Sequence, residues 1–254
     1  MRRNEGATTR MGLKGKRVFV AGGTGKIGEA LLLALSREGA WVSFSYCTEK
    51  ERAEALAKDL ALPKPLFLDV GDSKAAEEAR DATLEALQGV DALINATGVW
   101  VRASLERATA EEMEHVFRVN LLGPLYLVKA FLPALRANQG GGSVVLFGSS
   151  GRELDAPSQS FYAASKAGVV GMVRALAFEL APMGVRINAV APRYALSVKK
   201  AEEKRPKEST LPLIARSFSH PMDVAEVVKF LISEESGIVS GQTIELEVPF
   251  GYSG

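Results

Sequence analysis

Ser149, Tyr162 and Lys166 carry side chains that could act together on one oxygen atom. Tyr162 and Lys166 are four residues apart, so on a helix they share a face, one turn apart, and the amine can approach the phenol. A phenol with a pKa of about 10 is a poor proton source or sink near neutrality, and an adjacent ammonium favours its ionised form. Ser149 follows the apolar run Ser143-Val144-Val145-Leu146-Phe147 and would sit at the end of a strand. From there its hydroxyl could donate to a carbonyl oxygen on which negative charge develops. The pair alone also describes an aromatic packed under a snorkelling lysine, so the elements around it decide.

Those elements alternate. Arg17 to Ala21 reads as a buried strand that runs into Gly22, Gly23, Thr24, Gly25, Lys26, Ile27 and Gly28, followed by a helical pattern over Glu29 to Glu38. Strand, glycine turn and helix bring backbone amides and a helix N-terminus to one point, which suits a pyrophosphate. Gly22 would make the tight turn, and Gly28 would let the helix approach the strand. The alternation continues with a strand at Trp41 to Tyr46, a helix at Glu49 to Leu60, a strand at Pro65 to Leu68 ending at Asp69, and a helix at Lys74 to Leu87. A strand at Ala92 to Ile94 then ends in Asn95, Ala96, Thr97 and Gly98. A helical tract spans Ala110 to Leu135 with an interruption around Gly123 and Pro124. Asn120, inside its apolar run, either satisfies a neighbouring backbone group or marks a kink. Val185 to Val190 reads as a strand ending in Ala191-Pro192, Pro221 to Ile232 as the closing helix, and Gln242 to Val248 as a last edge strand. The pattern predicts an α/β fold: a doubly wound parallel sheet with helices on both faces, in three layers, with ligands at the strand C-terminal ends.

A chain of 254 residues with 47% apolar content and 24 glycines can form one domain with a sizeable core. Residues 1–12 are expected to be a flexible tail, with Met11 as an alternative start, and residues 13–254 a single domain. The charge-rich stretch 193–220, long for a connection without firm structure, is expected to form a substrate lid. A net charge of +1 leaves no strong field for nucleic acid or an anionic membrane, and no stretch of 18 consecutive apolar residues is present. Cys47 is the only cysteine and there are two histidines, which excludes an intramolecular disulfide and argues against a conventional zinc site. These features predict a cytoplasmic protein that uses no metal.

The order and spacing of the glycine turn, Asp69-Val70, the Asn95-to-Gly98 turn, Asn120, Ser149, Tyr162 with Lys166, and Asn188-Ala189-Val190-Ala191-Pro192 resemble those of the short-chain dehydrogenase/reductase family, over nearly the whole chain from about Leu13 to Val248. The resemblance implies a Rossmann-type fold that binds NAD(H) or NADP(H). It makes Tyr162 the general acid/base, Lys166 the group that lowers its pKa and holds the nicotinamide ribose, Ser149 the residue that orients the substrate oxygen, and Asn120 part of a water relay. Gly22, Thr24, Lys26, Ile27 and Gly28 would hold the pyrophosphate, Asp69 and Val70 the adenine side, and Asn95, Ala96, Gly98 and Pro192 the remainder of the dinucleotide. Several positions depart from the family pattern: Lys26, Arg193 and Ala96 replace Gly, Gly and Asn, and Glu247-Val248-Pro249 replaces a closing Asp-Gly-Gly. Thr97 stands for Ala and Ala21 for Thr.

The second strand ends in Ser45-Tyr46-Cys47-Thr48, with no acid before Glu49 to accept the free ribose of NAD, and Lys26 or Lys50 could supply positive charge. NADP(H) is therefore expected over NAD(H), with Tyr46 beside it. The expected substrate is a small carbonyl or hydroxyl compound. One reading is a 3-oxoacyl thioester, carrier-protein-bound, met by the lid lysines Lys199 to Lys207; another is a pterin, suggested by Lys26, Tyr46 and Trp100, which could stack on a flat ring or equally fill a core or interface position. A dinucleotide-binding sensor or structural protein without turnover is the non-enzymatic alternative. The resemblance also implies a homotetramer or homodimer, with Val169, Val170 and Val173 either in that contact or facing the sheet.

Overall fold

The structure, a computed structural model, describes residues 12–138, 140–149, 157–192 and 220–246. The expected lid, apart from His220, lies outside them, as do Arg193, Glu247-Val248-Pro249 and nearly all of the expected tail.

Seven strands form one sheet: β1 Arg17–Ala21, β2 Trp41–Tyr46, β3 Leu66–Phe67, β4 Ala92–Asn95, β5 Gly142–Phe147, β6 Val185–Pro192 and β7 Thr243–Leu246. Every pairing is parallel and the spatial order is β3-β2-β1-β4-β5-β6-β7. The helices are α1 Lys26–Arg37, α2 Lys50–Asp59, α3 Ser73–Leu87, α4 Ala110–Phe117, α5 Gly123–Arg136, α6 Ser160–Leu180 and α7 Pro221–Ile232.

The layers follow from the two-residue period of a strand. Along β1, Val18 and Val20 enter a core shared with Leu31 and Leu35 of α1 and Val224 and Val228 of α7. Phe19 and Ala21 point the other way, into a core with Leu127 and Phe131 of α5 and Val169 and Val173 of α6. Phe19 and Phe131 stack there with ring centroids 4.8 Å apart, a contact worth about 1 kcal/mol beyond its area. Val169 and Val173 thus face the sheet, while Val170 is half-buried. The tracts Ala110–Arg136 and Ser160–Met183 have the length and apolar composition of a membrane span, which the sequence reading did not anticipate. Each lays one side on the sheet core.

Local chemistry shifts several expected boundaries. Helix α1 starts three residues early because Gly25, extended at φ −68° and ψ 166°, serves as its N-cap. Lys26 and Ile27 therefore belong to the first helical turn. The tract from Ala110 is interrupted earlier than Gly123: residues Arg118–Leu122 form a π turn between α4 and α5, around Asn120. Strand β3 is shorter than expected, since only Leu66 and Phe67 pair with β2.

The order reverses between β1 and β4: from β1 the chain builds outward through β2 and β3, then returns to the other side of β1. The crevice at the C-terminal ends of those two strands is where open parallel sheets bind ligands.

Candidate functional site

The floor of that crevice is backbone. Gly22 has φ +81°, a conformation that favours glycine. A Cβ on Gly28 would lie 2.0 Å from Gly22 O, so the start of α1 can close onto the turn only with glycine there. Gly23, absent from the sequence-derived site, is equally constrained, because its Cβ would fall 2.3 Å from the Phe44 ring. The turn is tied to β2 by Gly23 N donating to Ser45 O at 2.8 Å. No side chain caps α1, so its first-turn amides and positive dipole end are offered to an anion. Thr24 is buried, Ile27 half-buried and Lys26 exposed at this point. These observations fit a dinucleotide pyrophosphate.

The β4 turn forms the adjoining wall, with a Cβ on Gly22 placed 3.1 Å from Thr97 and 3.2 Å from Ala96. Asn95 is buried and organises this turn: its Oδ1 accepts from Thr97 Oγ1 at 2.6 Å and Thr97 N at 3.2 Å. Exposed Gly98 lies against the catalytic candidates, its Cβ position being 3.3 Å from Lys166 Nζ and 3.4 Å from Asn120 Oδ1.

Asn120, turned inward by the π turn, grips the next residue twice. Its Oδ1 accepts from Val99 N at 2.8 Å, and its Nδ2 donates to Val99 O at 2.9 Å and to Ser165 Oγ at 3.1 Å. Ser165 Oγ in turn donates to Tyr162 O at 2.7 Å. Both sequence readings of Asn120 hold, since it satisfies a neighbouring backbone and sits in a distorted helix. Its amide hydrogens go to protein acceptors, which makes it a brace between the β4 turn and α6. Ser165 was missed by the sequence reading; a serine three residues after Tyr162, able to back-bond an i−3 carbonyl, was the available signal.

Helix α6 begins at Ser160, so Tyr162 and Lys166 lie on successive turns. Lys166 is only 6% exposed and donates to Phe147 O, the last residue of β5, at 2.9 Å. Ser149, two residues beyond, is also buried, and Gly148 N donates to Val190 O at 3.0 Å to fix the β5 end against β6. Tyr162 is half-buried, and Pro192 closes the row from the end of β6.

Three further candidates, Asp69, Val70 and Tyr46, lie on the opposite flank. Asp69 caps its own turn by accepting from Gly71 N at 2.9 Å, while Val70 packs on Gly123. Burial, then the negative charge of Asp69, pushes the Cys47 thiol above its ordinary pKa. Tyr46 meets Phe67 edge-on at 6.1 Å. These residues stand at or just past the ends of β2 and β3, on the other side of β1 from β4 and β5, so the two flanks are spread along the crevice, as the two halves of an extended dinucleotide require. Trp100 is 57% exposed, which removes a core role, and its indole nitrogen donates to Gln159 Oε1 at 2.9 Å.

Comparison with known proteins agrees with this geometry. Residues 22–252 match the family model described as Enoyl-(Acyl carrier protein) reductase. The chain is 34% identical over 245 residues to a 3-oxoacyl-(acyl-carrier-protein) reductase of Thermotoga maritima, covering 93% of this chain and 98% of that protein. Its fold superposes with TM-score 0.81 and 30% identity on a dehydrogenase/reductase from Sinorhizobium meliloti 1021, covering 96% and 98% of the two chains. A short chain dehydrogenase from Burkholderia cenocepacia J2315 in complex with NADP gives TM-score 0.80 at 28% identity, over 92% and 97%. The chain therefore belongs to the short-chain dehydrogenase/reductase family of NAD(P)-dependent oxidoreductases acting on carbonyl or hydroxyl groups, and within it is 3-oxoacyl-acyl-carrier-protein reductase-like.

Proposed function

We propose that the protein is an NADP(H)-dependent reductase of a 3-oxoacyl thioester, with Tyr162 as its proton donor. The observation that carries this reading is the convergence of buried Ser149, buried Lys166 and the Asn120 brace at the ends of β4 and β5, beside Tyr162. When bound, the nicotinamide group supplies the hydride that reduction needs. Ser149 donates a hydrogen bond to the substrate oxygen and holds it toward Tyr162. Tyr162 gives its phenolic proton to that oxygen, and the Lys166 ammonium stabilises the phenolate left behind. Asn120 keeps the β4 turn and α6 in register, so the proton donor stays near the cofactor crevice.

Gly22, Thr24, Lys26, Ile27 and Gly28 would hold the pyrophosphate, Asp69 and Val70 the adenine side, and Ala96, Gly98, Lys166 and Pro192 the nicotinamide half, with Asn95 acting through its turn. The preference for NADP(H) is supported at the end of β2, where Tyr46 stands and the next acid, Glu49, is paired with Arg52 at 3.3 Å. Lys26 adds positive charge at the start of α1, and a solved relative was crystallised with NADP. The similarity to 3-oxoacyl-acyl-carrier-protein reductases supports the thioester.

A flat-ring substrate of pterin type is the second reading, favoured by one feature: Trp100 presents a largely exposed indole whose orientation is fixed by a buried glutamine.

Parallel fluorescence titrations with NADPH and NADH, followed by NADPH oxidation with acetoacetyl-CoA and with a quinonoid dihydropterin, test both levels. Tighter NADPH binding with thioester turnover is expected. No binding of either nucleotide overturns the enzyme assignment, and turnover of the pterin alone overturns the thioester.

A further inference from the structure

At the end of the sheet away from the glycine turn, the strand starts surround a second cavity of about 420 Å3. Lys16, Asp91, Ser143, Arg186 and Glu234 line it. A cleft of that volume is ample for a small ligand, and no step of the reaction above uses it. The length of β1 separates it from the crevice by about 17 Å, at roughly 3.3 Å per residue.

Its charges are unevenly satisfied. Asp91 is consumed by Arg17, whose backbone N and Nε donate to Oδ2 at 2.8 and 3.0 Å and whose second guanidinium nitrogen reaches Oδ1 at 2.6 Å. Glu234 is exposed. Arg186 is half-buried and makes no ion pair among the described residues; it donates to the carbonyls of Val239, Leu231 and Ser233 at 3.1, 3.0 and 3.2 Å. Those bonds use three of its five N–H groups. The half-buried Lys16 ammonium makes no hydrogen bond or ion pair among the described residues. Counting Arg17, three cations here face two carboxylates, and the cation in surplus lacks an acceptor. Taking a charge from water without a partner is costly, so such a cation invites a counter-ion.

We propose that this cavity binds a small oxyanion, a phosphate or carboxylate group, through Lys16 with Arg186 beside it. Titration tendencies agree with the geometry. Burial lowers the Lys16 pKa, with Asp91 and Glu234 opposing and Arg186 adding to the fall, and burial also lowers that of Arg186. An anion among these groups would restore the solvation that each has lost. The occupant would not compete with the dinucleotide, because it sits at the other end of the strands.

Isothermal titration with inorganic phosphate and, separately, with citrate at fixed ionic strength tests this, using wild type, Lys16→Met and Lys16→Arg. Arg186 is left intact because it holds the carbonyls of Leu231 and Ser233 at the end of α7 and of Val239 beyond it. Expected is one saturable site, weakened at least tenfold in Lys16→Met and restored to within threefold in Lys16→Arg; the tighter of the two anions identifies phosphate or carboxylate as the natural group. Isotherms that are alike in wild type and Lys16→Met would assign the anion to the glycine turn and overturn the proposal, as would no binding of either anion. A second readout needs no ligand: in chloride buffer Lys16→Met should melt at the wild-type temperature or above. A clear drop would mean that the ammonium is already satisfied within the fold, which also overturns it.

Discussion

At the start of β1, Arg17 is bound on three sides, by Asp91, by Gln88 O at 2.9 Å and by Asn138 at 2.8 Å. At the end of the same strand, the glycine turn offers no side chain of its own: Gly22 N donates to Ser45 Oγ at 3.3 Å, Gly23 N donates to Ser45 O at 2.8 Å, and Asn95 on the adjoining wall bonds to its own turn. One end of the sheet spends its polar groups on each other across long stretches of chain. The other uses a few neutral braces, Asn95 within its turn and Asn120 from the π turn to Val99 and Ser165, to hold a polar surface in place around Ser149, Tyr162 and Lys166. The first arrangement produces stability, the second a site. Substitutions at the two ends should therefore separate loss of folding from loss of chemistry.

The largest effect is expected at Tyr162. Removing one oxygen in Tyr162→Phe removes the proton donor but keeps the ring, and positioned acid catalysis commonly contributes about 10²- to 10⁴-fold. Turnover should fall about 10³-fold, while nucleotide affinity and melting temperature stay close to wild type. Steady-state kinetics and thermal melting on one preparation check this. A variant that retains wild-type turnover would remove Tyr162 from the mechanism and leave the crevice as a binding site.

The opposite end should give the converse result. Arg17→Met leaves the partly buried Asp91 carboxylate without its main partner, a class of change that costs about 2–3 kcal/mol, and turnover per folded molecule should be unaltered. Burial pushes the Asp91 pKa up, but the side-chain and backbone hydrogen bonds from Arg17 outweigh it and hold the carboxyl below its ordinary value of 3.8. Since the folded value lies below the unfolded one, the contribution is fully present above pH 3.8 and disappears as pH falls through the folded value. Urea denaturation between pH 3 and 7 should show a smaller acid loss in Arg17→Met than in wild type across the lower part of that range. Equal slopes would mean that Asp91 is not the group being titrated.

The same contrast explains what could be read in the sequence. Strands β1 and β2 and helix α7 have the expected bounds because their apolar periods and breakers are local. The glycine turn was legible for the same reason: Gly22 and Gly28 act within a few residues of each other. The π turn was not, because one extra residue in a helical turn leaves the apolar pattern around Asn120 nearly unchanged, and its payoff is a bond to Ser165, 45 residues away. Gly23 is fixed by Phe44 on the neighbouring strand, and Arg17 by partners 74 and 121 residues off. Such contacts become visible only when the strand order is known. The early start of α1 came from an N-cap glycine, whose weak local signal was absorbed into the turn.

The smallest expected effect sits where the two arrangements overlap. Trp100 is part brace and part surface: its indole N–H satisfies Gln159, which is 7% exposed and directly precedes α6, while most of the ring is open. Trp100→Phe and Trp100→Ala both delete that donor and leave the Gln159 oxygen unpaired, so each should cost about 1 kcal/mol of stability. Only Trp100→Ala also removes the flat face. If the ring is a platform for substrate, KM for a ring-bearing ketone should rise about threefold or more in Trp100→Ala and stay near wild type in Trp100→Phe, with kcat little changed in both. Equal KM values in the two variants would reduce Trp100 to its bond with Gln159, and the flat-ring reading would lose the one observation that favours it.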